Sequence, residues 1–341
     1  MNLKELSTLL ELSQTTVSRA LNGYPEVSEA TRLRVQTAAR DHNYFPNARA
    51  KGLATGRSLT IGHVIPTDQR HEMVNPVFGD FISGVGEVYS RAGYDMIMSI
   101  VPTDTELETY RSLAARSSVD GVVIHAPRMV EPRITLLRDL GLPFVVHGRA
   151  SQETGPYSSV DVNNTSAFRR ATDFLLDLGH TRIALINGLE HMDFAHRRRK
   201  GYESALTARG ITPDPALMRS AEMTEGLGYR PARDMLACAD APTAFLVASM
   251  ISAMGVRRAI EDAGLIMGRD VSIVTFDDDL GYLTNGDEVP IFTSARSSVR
   301  SAGMMAATML LEQIAAPDAP LATRLLEADI ISGRSTGPCP S

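Results

Sequence analysis

Residues 12–35 read LSQTTVSRALNGYPEVSEATRLRV, and their spacing decides the first part of the fold. Ser13 stands where it can accept hydrogen bonds at the start of a helix over Gln14–Leu21. In that helix Val17 and Leu21 lie four apart and form its apolar side, while Gln14, Thr15, Ser18 and Arg19 point elsewhere. Asn22-Gly23 stops it with residues that tolerate left-handed backbone. Upstream, Leu3, Leu6 and Leu10 share one face of a preceding helix. Downstream, a third helix starts after Ser28 with Val35, Ala38 and Ala39 on its core side. Two short helices with a tight turn and a polar second helix suit a helix-turn-helix, because a helix fits the major groove and Gln and Arg pair with base edges. Periodicity alone fits an ordinary three-helix bundle with a solvated polar face equally well.

The charge distribution adds a second observation. The whole chain of 341 residues carries a formal charge of −6. Residues 1–57, however, hold eight Lys/Arg against five Asp/Glu, and the remainder 26 basic against 35 acidic residues. A basic head on an acidic body suits a modular protein whose head meets a polyanion. The composition, 43% apolar and 22% charged, is that of a globular chain with room for more than one domain. No run of about 20 apolar residues is present for a membrane span, and the start, MNLKELSTLL, lacks the features of a signal peptide, so a cytoplasmic location is expected. Cys238 and Cys339 are far apart and read as unpaired thiols.

After Pro46, the stretch NARAKGLATG leads with Asn47, which can cap a helix to about Thr55. So short a helix, weakened by Gly52, is marginal by itself. From residue 58 the chain alternates strand-like runs, among them LTIGHVIP (59–66), YDMIMSIV (94–101), GVVIHA (121–126), PFVVHG (143–148), RIALING (182–188), TAFLVAS (243–249) and VSIVTF (271–276), with amphipathic helices. Near-continuous apolar strands in βα alternation predict parallel sheets covered on both faces, hence an α/β body of two Rossmann-like lobes with a ligand cleft at the strands' carboxyl ends.

The TVSRALNG core followed by VSEATRLRV resembles the head of the LacI/GalR family of bacterial transcription regulators. NPVFGDFISGVGEVYSRAGYDM, VDGVVI, LGLPFVV, VDVNN, LGHTRIALING, RRRKGYESAL and DVSIVTFDDD extend the resemblance over essentially the whole chain. It implies a helix-turn-helix domain over 1–46, a hinge helix over 47–57 and a periplasmic-binding-protein-like effector and dimerisation domain over 58–341. It also implies three crossings between lobes, expected near Ser158-Ser159, Glu288-Val289 and Ala319-Pro320. Lobe N would be about 58–158 and 289–319, lobe C about 159–288 and 320–341. The partners implied are double-stranded operator DNA, a small-molecule carbohydrate effector and a second copy of the chain. No cofactor, metal, membrane or catalytic step is expected.

By position, Gln14, Thr15 and Arg19 would read bases, and Ser13, Thr16, Ser18 and Asn22 would settle on phosphates. From the hinge, Asn47, Ala50, Lys51 and Leu53 would contact DNA, with Leu53 wedged into the minor groove of a kinked site. Effector contacts implied for lobe C are Arg198, before Gly201-Tyr202, and Asp277, after VSIVTF. Lobe N offers His71, Glu72, Asn75 and Phe78, together with His125, His147 and Arg149 at the ends of later strands. Phe78 fits ring stacking and plain core packing alike, and lone histidines are more often structural. Many relatives carry Asn-Asp where this chain has Ser249 and Met250, which makes that wall less polar and leaves Ser249 as its effector-binding candidate. The wording GHVIP, HEMVNPVF, FAHRRRKGY, TFDDD and GRSTGP is closest to regulators of alpha-glucoside uptake operons, and so suggests a disaccharide inducer of a repressor. A corepressor or sugar phosphate in the same cleft, or a cytoplasmic sugar-binding protein or enzyme, are the competing readings. The acidic run 277–279 is too contiguous for a Mg or Ca site, the Gly-rich stretch at 54–58 lacks P-loop spacing, and no GxSxG elbow occurs.

Overall fold

The computed structural model describes residues 1–44, 56–66, 75–276 and 279–340. The chain divides into two compact units, Met1–Leu59 and Thr60–Ser341. In the first, α1 (Leu3–Leu9), α2 (Gln14–Leu21) and α3 (Glu29–Asp41) each start on a side-chain cap. Asn2 and Glu5 exchange side-chain to backbone bonds of 2.9 Å, Ser13 accepts the Thr16 N–H at 3.0 Å, and Ser28 accepts that of Thr31 at 3.3 Å. These caps satisfy amide donors that a helix start leaves without partners. Leu6, Leu10, Val17, Ala20, Val27, Val35 and Ala39 form the core. Leu21, expected inside, is only half-buried, and Ala20 takes the buried place because a small side chain lets the helices approach.

The second unit holds two six-stranded sheets. Lobe N orders its strands β11 (Thr323–Leu326), β5 (Ser158–Val162), β4 (Phe144–His147), β3 (Gly121–Ile124), β1 (Thr60–Pro66) and β2 (Asp95–Val101), all parallel. Lobe C orders β12 (Asp329–Ile331), β10 (Thr293–Arg296), β9 (Ser272–Phe276), β8 (Ala244–Val247), β6 (Ile183–Asn187) and β7 (Met218–Ser220), with only β12 antiparallel. The helices of lobe N are α4 (Pro76–Ala92), α5 (Glu106–Ala115), α6 (Pro132–Asp139) and α11 (Val299–Ala315). Lobe C has α7 (Asn164–Asp177), α8 (Asp193–Ala208), α9 (Glu225–Leu236) and α10 (Met250–Asp262).

All three crossings come later than expected. The chain leaves lobe N after Val162, returns between Arg296 and Val299, and leaves again between Leu326 and Asp329. The cause is strand pairing. Ser158–Val162 is hydrogen-bonded between β4 and β11, and Thr293–Arg296 between β9 and β12, so neither can be divided from its sheet. Ser158, Ser159 and Asp161 are polar, yet all three are buried in the first of these strands.

The helices flanking the cleft pack at glycines. A Cβ on Gly84 of α4 would lie 2.2 Å from the Arg300 carbonyl oxygen of α11, and one on Gly201 of α8 would lie 2.3 Å from the Thr165 oxygen of α7. That close approach sets Phe81 and Arg198, each three residues earlier, at fixed depth.

Candidate functional site

In the head, Gln14, Thr15, Arg19 and Asn22 lie exposed along α2, with Thr16 and Ser18 half-buried beside them. Ser13 is exposed, and its hydroxyl bonds both the amide and the hydroxyl of Thr16, the latter at 2.8 Å. The Asn22 amide donates to the Ser18 carbonyl at 2.9 Å. Arg32 and Arg34 are tied internally, donating to the carbonyls of Tyr24 (3.0 Å) and Leu10 (2.6 Å). Arg19 makes no such bond among the described residues, so α2 presents amides, hydroxyls and one cation on a single face. Asn47, Ala50, Lys51 and Leu53 lie outside the described residues, as do His71, Glu72 and Asp277.

In the body, the carboxyl ends of both sheets meet at a cleft with a cavity of about 160 Å³. Six expected residues line it: Asn75, Phe78, His125, His147, Arg149 and Arg198. Ser249 does not. It is buried as the cap of α10, its hydroxyl accepting the Ser252 N–H at 3.3 Å, and that local bond holds it away from the cleft. Asn75 is a cap as well as a lining residue, accepting the Val77 N–H at 3.1 Å.

The lobe N wall is a cluster of rings. His63 Nδ1 and His125 Nε2 are hydrogen-bonded at 2.9 Å, which requires one ring to donate and the other to accept. Phe78 and Phe81 meet His125 edge-on at 5.3 and 5.1 Å, and Phe81 stacks on His147 at 4.1 Å. Phe78 therefore lines the cleft and packs in the core at once. Burial pushes His63 and His147 down to about 4. His125 falls well below its ordinary value, first through burial and then through the neighbouring His63, His147 and Arg133. The cluster is neutral at physiological pH. The outer nitrogens, His63 Nε2 and His125 Nδ1, have no hydrogen-bond partner among the described residues.

The lobe C wall is organised by Arg198. Its guanidinium lies 4.0 Å from the ring centre of Phe276, 4.9 Å from Phe194 and 5.2 Å from Phe168. It donates to the Asn164 side chain and the Ala248 carbonyl, each at 2.8 Å. A buried cation is tolerated because it donates to these two acceptors and ring faces attract it. Beside it, Asp161 accepts two bonds from Arg197, at 2.8 and 2.9 Å. Burial opposes that charge, but bonding to Asp161 and then to Asp193 holds the Arg197 guanidinium above its ordinary value. Phe81, Asp161, Asn164, Phe194 and Phe276 line the cleft without having been singled out. The stretches NPVFGDF and VDVNN contained the signal, since Phe81 is one turn beyond Phe78, and Asp161 and Asn164 flank a strand end.

Residues 2–47 match the model of the bacterial regulatory proteins of the lacI family, and residues 172–336 that of the periplasmic binding protein-like domain. The HTH-type transcriptional regulator AglR of Rhizobium meliloti (strain 1021) is 43% identical over 99% of this chain and 95% of its own. The chain belongs to the lacI family. As a lacI family member it is a DNA-binding transcription regulator. Its fold is shared with the lac repressor dimer bound to operator and an anti-inducer (TM-score 0.84, 24% identity, 99% of both chains). A CelR–cellobiose complex is 28% identical, with TM-score 0.72 over 98% of this chain and 99% of that one. Among the described residues no cluster of side chains suits a metal, and no helix is long and apolar enough to cross a membrane.

Proposed function

We propose that this regulator is a repressor of a carbohydrate uptake or catabolism operon, released from its operator by a sugar, with an alpha-glucoside disaccharide as the inducer class. The observation that carries this reading is the cleft itself. Sugars offer apolar ring faces and vicinal hydroxyls, and the cleft offers Phe78, Phe81, Phe194 and Phe276 for the former and Asn75, Asn164, His125 and Arg198 for the latter. The cellobiose bound in a CelR relative supports a sugar. The alpha-glucoside choice rests on the wording of the sequence. The reading places the protein in the cytoplasm, acting by binding and not by catalysis.

In this reading the protein is a homodimer with two heads on a pseudo-palindromic site. The head spans 1–46, the hinge 47–57 and the body 58–341. Gln14, Thr15 and Arg19 meet base edges, and Leu53 of the hinge wedges into the minor groove. Sugar binding changes the lobe angle and unpairs the hinge helices. A coupling of about 1–3 kcal/mol suffices for such a switch. The test is operator binding by fluorescence anisotropy, with maltose, sucrose and trehalose added in turn. Weaker binding with one sugar supports the proposal, and tighter binding identifies a corepressor instead. If Leu53→Ala leaves DNA affinity and bending unchanged, the wedge is wrong. One observation favours a second ligand class: Arg149 lies at the cleft, exposed and unpaired among the described residues, as a sugar phosphate would require. Glucose 6-phosphate and a purine base complete the panel for that reason.

A further inference from the structure

The buried charges beside the cleft lie where the two lobes touch. Asp161 ends β5 of lobe N, while Arg197 and Asp193 stand on α8 of lobe C. Arg197 spans them, donating through Nη1 and Nη2 to both Asp161 oxygens and through Nε to Asp193 at 2.5 Å. The other Asp193 oxygen crosses back to lobe N and accepts the Ser151 N–H at 2.8 Å. The Asp193 N–H donates to the Pro127 carbonyl at 3.0 Å, on the loop after β3, and Arg128 pairs with Met192 beside it. Asp161, Asp193 and Arg197 are 2%, 0% and 5% exposed. In the chain Asp161–Arg197–Asp193–Ser151 the first and last links thus cross between lobes, while the Arg197–Asp193 link ties them together within α8.

We infer that Arg197 is a positioning residue of the cleft: it closes an interlobe bridge that sets the angle between the walls and holds Asp161 neutralised against the ligand. The inference rests on the reading that the cleft holds the effector, and it adds a residue that does not itself line it. Three features support it. The fork of an arginine can serve two carboxylates at once, which lysine's point charge cannot. The triad carries two carboxylates and one guanidinium, and the Ser151 amide supplies the extra donor that the second carboxylate needs out of water. Asp161 belongs to the cleft lining, so whatever moves this wall moves the bridge. A ligand that changes the lobe angle has to stretch these bonds, and one that fits the existing angle finds its wall already built.

Hydrogen exchange of the full-length protein without ligand tests the bridge, because the Ser151 and Asp193 amides both donate across it. In Arg197→Lys and in Asp193→Asn these two amides should exchange about tenfold faster or more, while peptides from β3 and β6 keep wild-type protection. Unchanged exchange at both amides overturns the inference. Equal acceleration throughout both lobes does so too, since it marks a merely structural pair. Should Arg197→Lys fail to fold, Asp193→Asn decides alone. Calorimetry with maltose, sucrose and trehalose adds the second reading. The sugar that binds wild type should bind Arg197→Lys about tenfold more weakly, a loss of ~1.4 kcal/mol. An affinity within twofold of wild type, with the two amides released, overturns the positioning role. If none of the three binds wild type, the sugar assignment fails, and the exchange result still decides the bridge.

Discussion

Across the cleft, the histidine wall of lobe N and the arginine wall of lobe C bury polar groups in different ways. His63, His125 and His147 shed their charge, because burial holds all three in the neutral form. Arg198 cannot shed its proton, so it is surrounded by acceptors and phenyl faces. One wall is therefore sensitive to protons, and the other to loss of any partner. The difference follows from side-chain chemistry: an imidazole titrates near neutrality and a guanidinium does not.

The largest effect should come from the histidine wall's packing. Phe81→Ala removes the ring between His125 and His147 and should cost about 3–5 kcal/mol in denaturant unfolding. A loss below that range would mean the imidazoles need no aromatic support. Next comes Arg198→Met, which keeps volume but strips the Asn164 side chain and the Ala248 carbonyl of their donor. Affinity for the inducing sugar should fall about 10–100-fold, the worth of one or two charged hydrogen bonds, and Arg198→Lys should not restore it. Restoration by lysine would show that charge alone organises the arginine wall.

A pH series separates the walls more finely. The folded histidines titrate far below an unfolded value of about 6.5, so between pH 6.5 and 4 the unfolded chain binds more protons and stability falls as pH falls. At pH 5, His63 and His147 should each subtract roughly 2 kcal/mol relative to pH 7.5. His147→Gln should lose about that much less over the same interval, which urea melts at the two pH values would measure. Equal slopes for the two proteins would place a charged histidine in the folded wall. The smallest expected change is Asn75→Ala, which removes the cap of α4 and should cost about 1 kcal/mol in the same melts.

Local signals were legible in the chain wherever one helix or strand suffices. Ser13 as a cap, Asn22-Gly23 as a stop, and the strand ends carrying His125, His147 and Arg149 all follow from nearest-neighbour chemistry. Ser249 misled because a hydroxyl at a strand end can face a cleft or cap the next helix, and only the α10 geometry chooses. Asp161 carried no local signal of its role: it is a charged residue in a buried strand whose partner, Arg197, lies 36 residues away.

The sequence by itself determined the helix-turn-helix head, the βα alternation of the body and six of the residues on the cleft. Each depends on periodicity or on a short motif, which a chain carries in its order of residues. The tertiary structure alone decided where the chain crosses between lobes, which histidines pair, and that Arg197 joins Asp161 to Asp193. Those depend on strand pairing and on charges brought together from distant positions, and burial, which makes such contacts strong, exists only once the lobes have closed on one another.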